Sequence, residues 1–214
     1  IRTYELGMFL KRKLKLAIFN LLLISIAAVI VCLLAFNIDY DSYNAGAKYI
    51  SYLLTPATVC LAVPLYEQVE LLKKNAKAIF AGILSGVLTS ILCVLAGCAI
   101  FGLSHEQYVT LLPKSITTAI GMGVSEELGG IVTITVAVII ITGVFGNMMA
   151  EFVCKVLRIQ EPVAKGIAIG SAAHAVGTAK AMEMGDIEGA MSSLSIAVAG
   201  LMTVVAAPLF AGIL

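Results

Sequence analysis

The sequence contains little charge, and this shortage decides the class of protein before any motif is considered. Only 13% of the 214 residues are Asp, Glu, Lys or Arg, whereas 60% are hydrophobic, and the mean hydropathy is +1.04. Soluble domains have about 25% charged residues. The composition therefore excludes an ordinary soluble domain and indicates a membrane protein.

Motifs for nucleotides, metals and catalysis are also missing. There is no GxxxxGK[ST] loop and no GxGxxG, the HEQYV at 105–109 is not an HExxH site, and no serine or cysteine has a plausible paired base. The five cysteines lie in or beside apolar segments without a CxxC pair, and the net charge is +1. We therefore expect no enzyme, no catalytic residue, no cofactor, no bound metal and no nucleic-acid partner.

Four uncharged runs are long enough to cross a hydrocarbon core, which takes about 20 helical residues. They are Leu16 to Phe36, Ala78 to Ser104, Leu128 to Ala150 and Gly189 to Leu214. The first run is too long for a signal peptide and lacks a cleavage site, so we interpret it as a retained span. The chain begins at Ile1 rather than at a methionine. We expect a missing N-terminal piece, with residues 1–10 as the end of a truncated first helix.

Three further apolar segments contain residues that interrupt helices: Tyr43 to Leu72, His105 to Glu127 and Pro162 to Gly185. The residues predicted to break these helices are Pro56, Pro64, Pro113, Gly121 and Gly170. Non-helical backbone at membrane depth is tolerated where it lines a cavity, as in many transporters. The predicted fold is an all-α polytopic membrane protein, a helical bundle of about 7 to 8 hydrophobic segments with broken or re-entrant helices.

The positive-inside rule gives an orientation for these segments. Three basic clusters contain most of the cations: Lys11, Arg12, Lys13 and Lys15; Lys73, Lys74 and Lys77; Lys155, Arg158 and Lys165. Placing all three in the cytoplasm makes residues 106–127 re-entrant, and residues 16–102 and 133–213 then form inverted repeats within one membrane domain, residues 1–214. If residues 106–127 cross the membrane fully, the two repeats are parallel.

Three ionisable residues lie within the interrupted segments, namely Lys114, His174 and Lys180. A charge at the centre of a lipid-facing helix costs about 2.5 to 3.5 kcal/mol, so these side chains should face protein, water or substrate. Each also has a purely structural interpretation. Lys180 could pair with Glu183, Lys114 could lie at the rim, and His174 could be an ordinary buried, hydrogen-bonded histidine.

Taken together, the cations of two broken segments suggest a binding site for a small anion. The hydroxyl groups that flank them belong to Ser115, Thr117, Thr118 and Thr178. These donors suit a small carboxylate with a neighbouring hydroxyl or keto oxygen. Glu126 or His174 could couple transport to protons, although Glu126 and Glu127 could equally be solvated charges. GxxxG pairs at 82–86 and 166–170 indicate close helix packing.

Three stretches closely resemble the LrgB/CidB family: TPATVCLAVPLYEQ at 55–68, LLPKSITTAIGMGVSEELGG at 111–130 and HAVGTAKAMEMGDIEGAMSS at 174–193. The resemblance places the family's KS-TT core on Lys114, Ser115, Thr117 and Thr118. It places the H-xx-GTA-[RK] core on His174, Gly177, Thr178, Ala179 and Lys180. The sequence departs from the family at Ala119, where relatives commonly have proline.

The resemblance implies a multi-pass protein of the bacterial inner membrane that is holin-associated or antiholin-like and linked to murein hydrolase control. It also implies a small LrgA/CidA-type membrane partner, and the GxxxG faces favour a homo-oligomer. Plant relatives exchange glycolate and glycerate, and some bacterial relatives take part in pyruvate uptake. Two hypotheses follow: a carrier of small 2-hydroxy or 2-oxo monocarboxylates, and a regulatory membrane protein with no substrate of its own.

Overall fold

The computed structural model describes residues 21–53, 56, 59, 60 and 62–214. Its helices are α1 (Leu21–Ala35), α2 (Tyr40–Ser51), α3 (Ala62–Glu67), α4 (Val69–Phe101), α5 (His105–Leu111), α6 (Thr118–Glu127), α7 (Val132–Val156), α8 (Pro162–Met184) and α9 (Asp186–Ala211). No β-strand occurs among these residues, which confirms the predicted all-α fold. The chain divides into two compact units, Ile1–Leu61 and Ala62–Leu214.

The first unit contains α1 and α2. Asp39 begins α2 because its Oδ1 accepts hydrogen bonds from the amides of Asp41 and Ser42, at 2.7 and 3.1 Å. These bonds and the Ser42 hydroxyl hold the pKa of the Asp39 carboxyl below its usual range. The predicted truncated helix at residues 1–10 and the beginning of the Leu16 run lie outside the described residues. Pro56 is described and exposed, but its neighbours on both sides are not described.

Three helices of the second unit are long and apolar enough to cross a membrane: α4, α7 and α9. They confirm three of the four uncharged runs as helices. In the run from Leu16 to Phe36, α1 covers residues 21–35. The helix α4 begins before its apolar run, so its first turns contain Lys73, Lys74 and Lys77. It ends where Gly102 adopts a left-handed conformation with φ 63°, which glycine does without a Cβ clash.

The interrupted segment at 105–127 consists of two short helices, α5 and α6, joined by turns over residues 112–117. Pro113 lies in these turns, as predicted for a helix-breaking residue. Gly121, by contrast, lies inside α6, where the helix is continuous. Pro64 lies within α3, so the chain is helical at this predicted break.

The helix α8 begins with Pro162 at its N-terminus and is broken near its middle. The break falls at Ala173 (φ −132°, ψ 15°) and His174 (φ 42°, ψ −142°) rather than at Gly170, which lies in regular helix. A positive φ at a residue with a Cβ is strained by about 1–3 kcal/mol, so the surrounding packing must hold His174 in place.

Glycines allow α8 to pack closely against its neighbours. A Cβ added at Gly170 would collide with the backbone carbonyl of Ser192 in α9, and one at Gly86 in α4 would lie 2.8 Å from Ser171 Oγ. The two GxxxG pairs therefore lie at helix contacts. Gly121 has a similar packing role, because a Cβ there would collide with the side chain of Ile139 in α7.

Candidate anion site

A cavity of ≈ 780 Å³ lies in the second unit between α4, the break after α5 and the first half of α8. Its lining on α4 runs from Asn75 to Cys93, which is about 27 Å of helix at 1.5 Å per residue. Gly82 faces Ile167 and Gly86 faces Ser171, so Glu161 lies toward the end of the cavity at Asn75, whereas Ser115 contacts Ser90 toward the other end. A cavity of this size can hold a small organic ion with several waters.

Lys114 reaches this cavity because the chain leaves the helical path at the break. The turns that follow α5 are closed by the amide of Lys114, which donates to the carbonyl of Leu111 at 3.1 Å, and by the amide of Ile116, which donates to the carbonyl of Pro113 at 3.3 Å. The Nζ of Lys114 donates to Ser115 Oγ at 3.0 Å. The lysine is thus held by a neutral hydroxyl.

The depth of Lys114 follows from its neighbours on α4. Ser115 Oγ lies 2.9 Å from Ser90 Oγ, and Ser90 lies half-way along the uncharged run from Ala78 to Ser104. Lys114 is therefore linked, through Ser115, to the middle of the uncharged run of α4. Transporter sites commonly occupy this depth.

Two other lysines of the second unit, unlike Lys114, lie within ion-pairing distance of carboxylates. Lys180 Nζ lies 2.6 Å from Glu151 Oε1 and 3.1 Å from Glu183 Oε2, and Lys165 Nζ lies 3.7 Å from Glu188 Oε1. Among the described residues, no carboxylate lies within ion-pairing distance of Lys114. A partly buried ammonium in this setting can attract an anion.

His174 contacts α7 and is not part of the cavity lining. Its side chain is buried, and its Nε2 lies 3.0 Å from the carbonyl oxygen of Ile139. Because a carbonyl oxygen only accepts, Nε2 is the donor. A Cβ at Gly143 would lie 2.7 Å from the imidazole, so the ring is tightly enclosed. This arrangement matches the structural interpretation of a buried, hydrogen-bonded histidine.

Thr178 contacts α9, whereas Gly177 packs against residues of its own helix across the break. The hydroxyl of Thr178 donates to the carbonyl of His174 at 2.9 Å and lies 2.7 Å from Ser192 Oγ. A Cβ at Gly177 would lie 2.6 Å from that of Ala173. Both residues secure the half of α8 that follows the break.

Thr117 and Thr118 begin α6 and are partly buried, outside the cavity lining. Thr117 occupies the N-cap position without a side-chain capping bond. Glu126 and Glu127 are exposed at the end of α6. The structure therefore brings together Lys114 and Ser115 from the predicted set and places the other predicted ligands elsewhere in the second unit.

Residues that the sequence patterns did not single out complete the cavity. Ser90 and Cys93 lie on its α4 wall, and Ser171 lies on its α8 wall. The sequence does carry a signal for the α4 wall, because Ser85 and Thr89 are four residues apart and Ser90 follows directly, all within an uncharged run. The sequence of α4 alone does not show that these polar residues contact the segment that contains Lys114.

A second group of hydroxyls holds the break in place. Thr135 at the start of α7 donates from its Oγ1 to the carbonyl of Thr110 at 2.9 Å, and the same Oγ1 lies 2.7 Å from Ser125 Oγ. Thr110 precedes the break and Ser125 lies near the end of α6. Thr135 therefore links residues that lie on both sides of the break.

The described residues contain no group of three or more His, Cys, Asp or Glu side chains that could hold a metal ion.

Comparison of the sequence with known proteins identifies the family of the chain. The holin-like protein CidB of Staphylococcus aureus (strain Mu50 / ATCC 700699) is 41% identical over 189 residues, which cover 88% of this chain and 82% of the relative. The antiholin-like protein LrgB of Bacillus cereus (strain B4264) is 38% identical over 193 residues, covering 90% of this chain and 84% of the relative. No solved structure matches the chain significantly. The profile of the LrgB-like family matches residues 1–213, and the chain belongs to that family.

Proposed function

We propose that this protein acts in the bacterial cytoplasmic membrane in the holin-like or antiholin-like role for which its relatives are named. The support is family membership over nearly the whole chain and three helices able to cross a membrane. In this role it would influence murein hydrolase activity and lysis together with a small LrgA/CidA-type membrane partner. The names of the relatives refer to this role and not to a catalysed reaction.

The cavity favours a second function, which would be the molecular activity of the protein. We propose that it binds a small 2-hydroxy or 2-oxo monocarboxylate, of the glycolate, glycerate, pyruvate or lactate class, and carries it across the membrane. The observation that carries this proposal is the position of Lys114, linked through Ser115 to the middle of the uncharged run of α4, in a cavity of ≈ 780 Å³ and bonded to a neutral hydroxyl. One ammonium without a carboxylate partner among the described residues matches one carboxylate.

Lys180 and His174, which were also predicted to act in the site, have protein partners that they would first have to leave. Lys180 could contribute a second positive charge only after it leaves Glu151 and Glu183. His174 could couple protons only if its bond to Ile139 opened. Both roles stay predictions, as does a homo-oligomer.

The inverted-repeat topology also remains part of the proposal. Under it, the basic residues at the start of α4 and the end of α7 lie in the cytoplasm. The end of the cavity at Asn75 and Glu161 then lies near the cytoplasmic surface. The bonds of Thr135 to residues before and after the break support a re-entrant segment at 106–127.

The experiment that separates the two functions is uptake of labelled pyruvate, glycolate and lactate into proteoliposomes that contain the purified protein. Wild type and Lys114→Ala would be compared with Lys155→Ala, which removes an exposed lysine of the same unit. Uptake that Lys114→Ala abolishes and Lys155→Ala retains would support the carrier. The same variants would be tested for murein hydrolase activity and lysis in cells.

The opposite result has an equally definite meaning. If the folded wild-type protein takes up none of the three acids, alone or with the small partner, the carrier proposal fails. If Lys114→Ala then still controls lysis like the wild type, the regulatory role stands without a substrate.

A further inference from the structure

We propose that Ser90 of α4 is a specificity-determining residue of the anion site, whose hydroxyl recognises the oxygen beside the carboxylate of a 2-hydroxy or 2-oxo acid. The inference rests on the proposed carboxylate activity and names the group that distinguishes such acids from a simple carboxylate.

The geometry is a chain of three polar groups from two parts of the fold. Lys114 Nζ lies 3.0 Å from Ser115 Oγ, which in turn lies 2.9 Å from Ser90 Oγ. All three residues line the cavity. Ser115 is only 7% exposed, whereas Ser90 is partly exposed to the cavity. Ser90 is thus the accessible end of the chain.

The direction of the hydrogen bonds follows from the chemistry of the groups. An ammonium only donates, so Ser115 Oγ accepts from Lys114. A hydroxyl that accepts from a cation is polarised and becomes a better donor. This polarisation favours Ser115 as the donor in its contact with Ser90, an arrangement that leaves the proton of the Ser90 hydroxyl for a ligand.

Counting the donors defines the ligand. The Lys114 ammonium has three N–H groups and uses one on Ser115, so two remain for a carboxylate. The Ser90 O–H supplies a third donor on the α4 wall. Glycolate and pyruvate have a third oxygen next to the carboxylate and can accept it. Acetate has no such oxygen and leaves this donor to water.

Two other serines of the cavity cannot play the same part. Ser85 Oγ donates to the carbonyl of Gly82 at 2.8 Å, and Ser171 Oγ donates to the carbonyl of Ile167 at 2.7 Å. Each hydroxyl has a single proton, which is thereby used within its own helix. Ser85 is on the same helix and in the same cavity as Ser90, so Ser85→Ala is a matched control.

The test measures the affinity of the purified full chain in detergent for glycolate and for acetate by calorimetry. The wild type should prefer glycolate, and Ser90→Ala should lower the ratio of the two affinities on the order of tenfold, because one buried hydrogen bond is lost for glycolate alone. Ser85→Ala should keep the wild-type ratio. Ser90→Thr retains the hydroxyl and should also keep it.

Other outcomes contradict the inference in distinguishable ways. A preference for glycolate that survives in Ser90→Ala, or a wild type that binds both acids equally, would overturn the role of Ser90 and leave the carboxylate site intact. Equal weakening of both acids in Ser90→Ala would mean that Ser90 only supports the fold. A wild type that binds neither acid would overturn both this inference and the carrier proposal.

Discussion

Lys180 Nζ in α8 lies 2.6 Å from Glu151 Oε1 in α7, and Glu183 completes the cluster from the next turn of α8. This ion pair joins two helices that are neighbours in the fold. This ion pair distinguishes the two lysines of the sequence motifs, because Lys180 already has carboxylate partners whereas Lys114 is bonded to a serine. The two positions therefore differ in what a substitution should do.

We expect Lys180→Ala to lower the free energy of unfolding by at most about 1 kcal/mol, because Glu151 and Glu183 are 62% and 59% exposed and remain solvated. Lys165→Ala should cost more, because its partner Glu188 is buried and would lose its counter-ion. Thermal unfolding in detergent measures both. Substrate uptake that disappears in Lys180→Ala but persists in part in Lys180→Arg would show that Lys180 binds the anion after all.

His174→Ala should destabilise the protein by about 1–3 kcal/mol, because a buried hydrogen bond to the Ile139 carbonyl is removed. The pH profile of uptake should keep its wild-type shape, since His174 is enclosed by α7 and lies outside the cavity lining. The chain has one other histidine, the exposed His105, so His105→Ala is the control. A pH profile that shifts only in His174→Ala would instead support proton coupling through this residue.

Gly170→Ala should destabilise the contact between α8 and α9 by about 1–3 kcal/mol, because the new Cβ collides with the backbone of Ser192 and not with a movable side chain. Gly123→Ala is the opposite case, since nothing lies within 4 Å of its added Cβ. That change should stabilise α6 by about 0.5–1 kcal/mol. Equal melting temperatures for the two variants would show that the glycine contact at α9 contributes little.

Single cysteines introduced into a chain without its five native cysteines should report the topology by labelling with an impermeant thiol reagent. Arg158→Cys should react only from the cytoplasmic side. Glu106→Cys and Glu127→Cys, which lie at exposed positions on either side of the break, should both react from outside if the segment is re-entrant. Labelling of the two on opposite sides would mean that residues 106–127 cross the membrane and that the repeats are parallel.

Local features of the chain were predicted well where a single segment determines them. The apolar runs in α4, α7 and α9 form helices because a membrane span must satisfy its backbone polar groups within one helix. Pro113 lies in a break for an equally local reason, since it lacks an N–H and restricts the residue before it. The prediction that Gly121 and Gly170 break helices was wrong, because glycine also occurs in regular helix where a neighbour approaches closely.

The sequence by itself determined the membrane class, the long helices and the presence of lysines beside interrupted helices, because composition and periodicity act over a few turns of one chain segment. Only the tertiary structure decided which lysine has a carboxylate partner. Lys180 meets Glu151, and Lys114 meets Ser115 and the neighbouring Ser90, through helix contacts between distant segments. Charge neutralisation depends on distances of a few ångströms between side chains, and helix packing sets those distances.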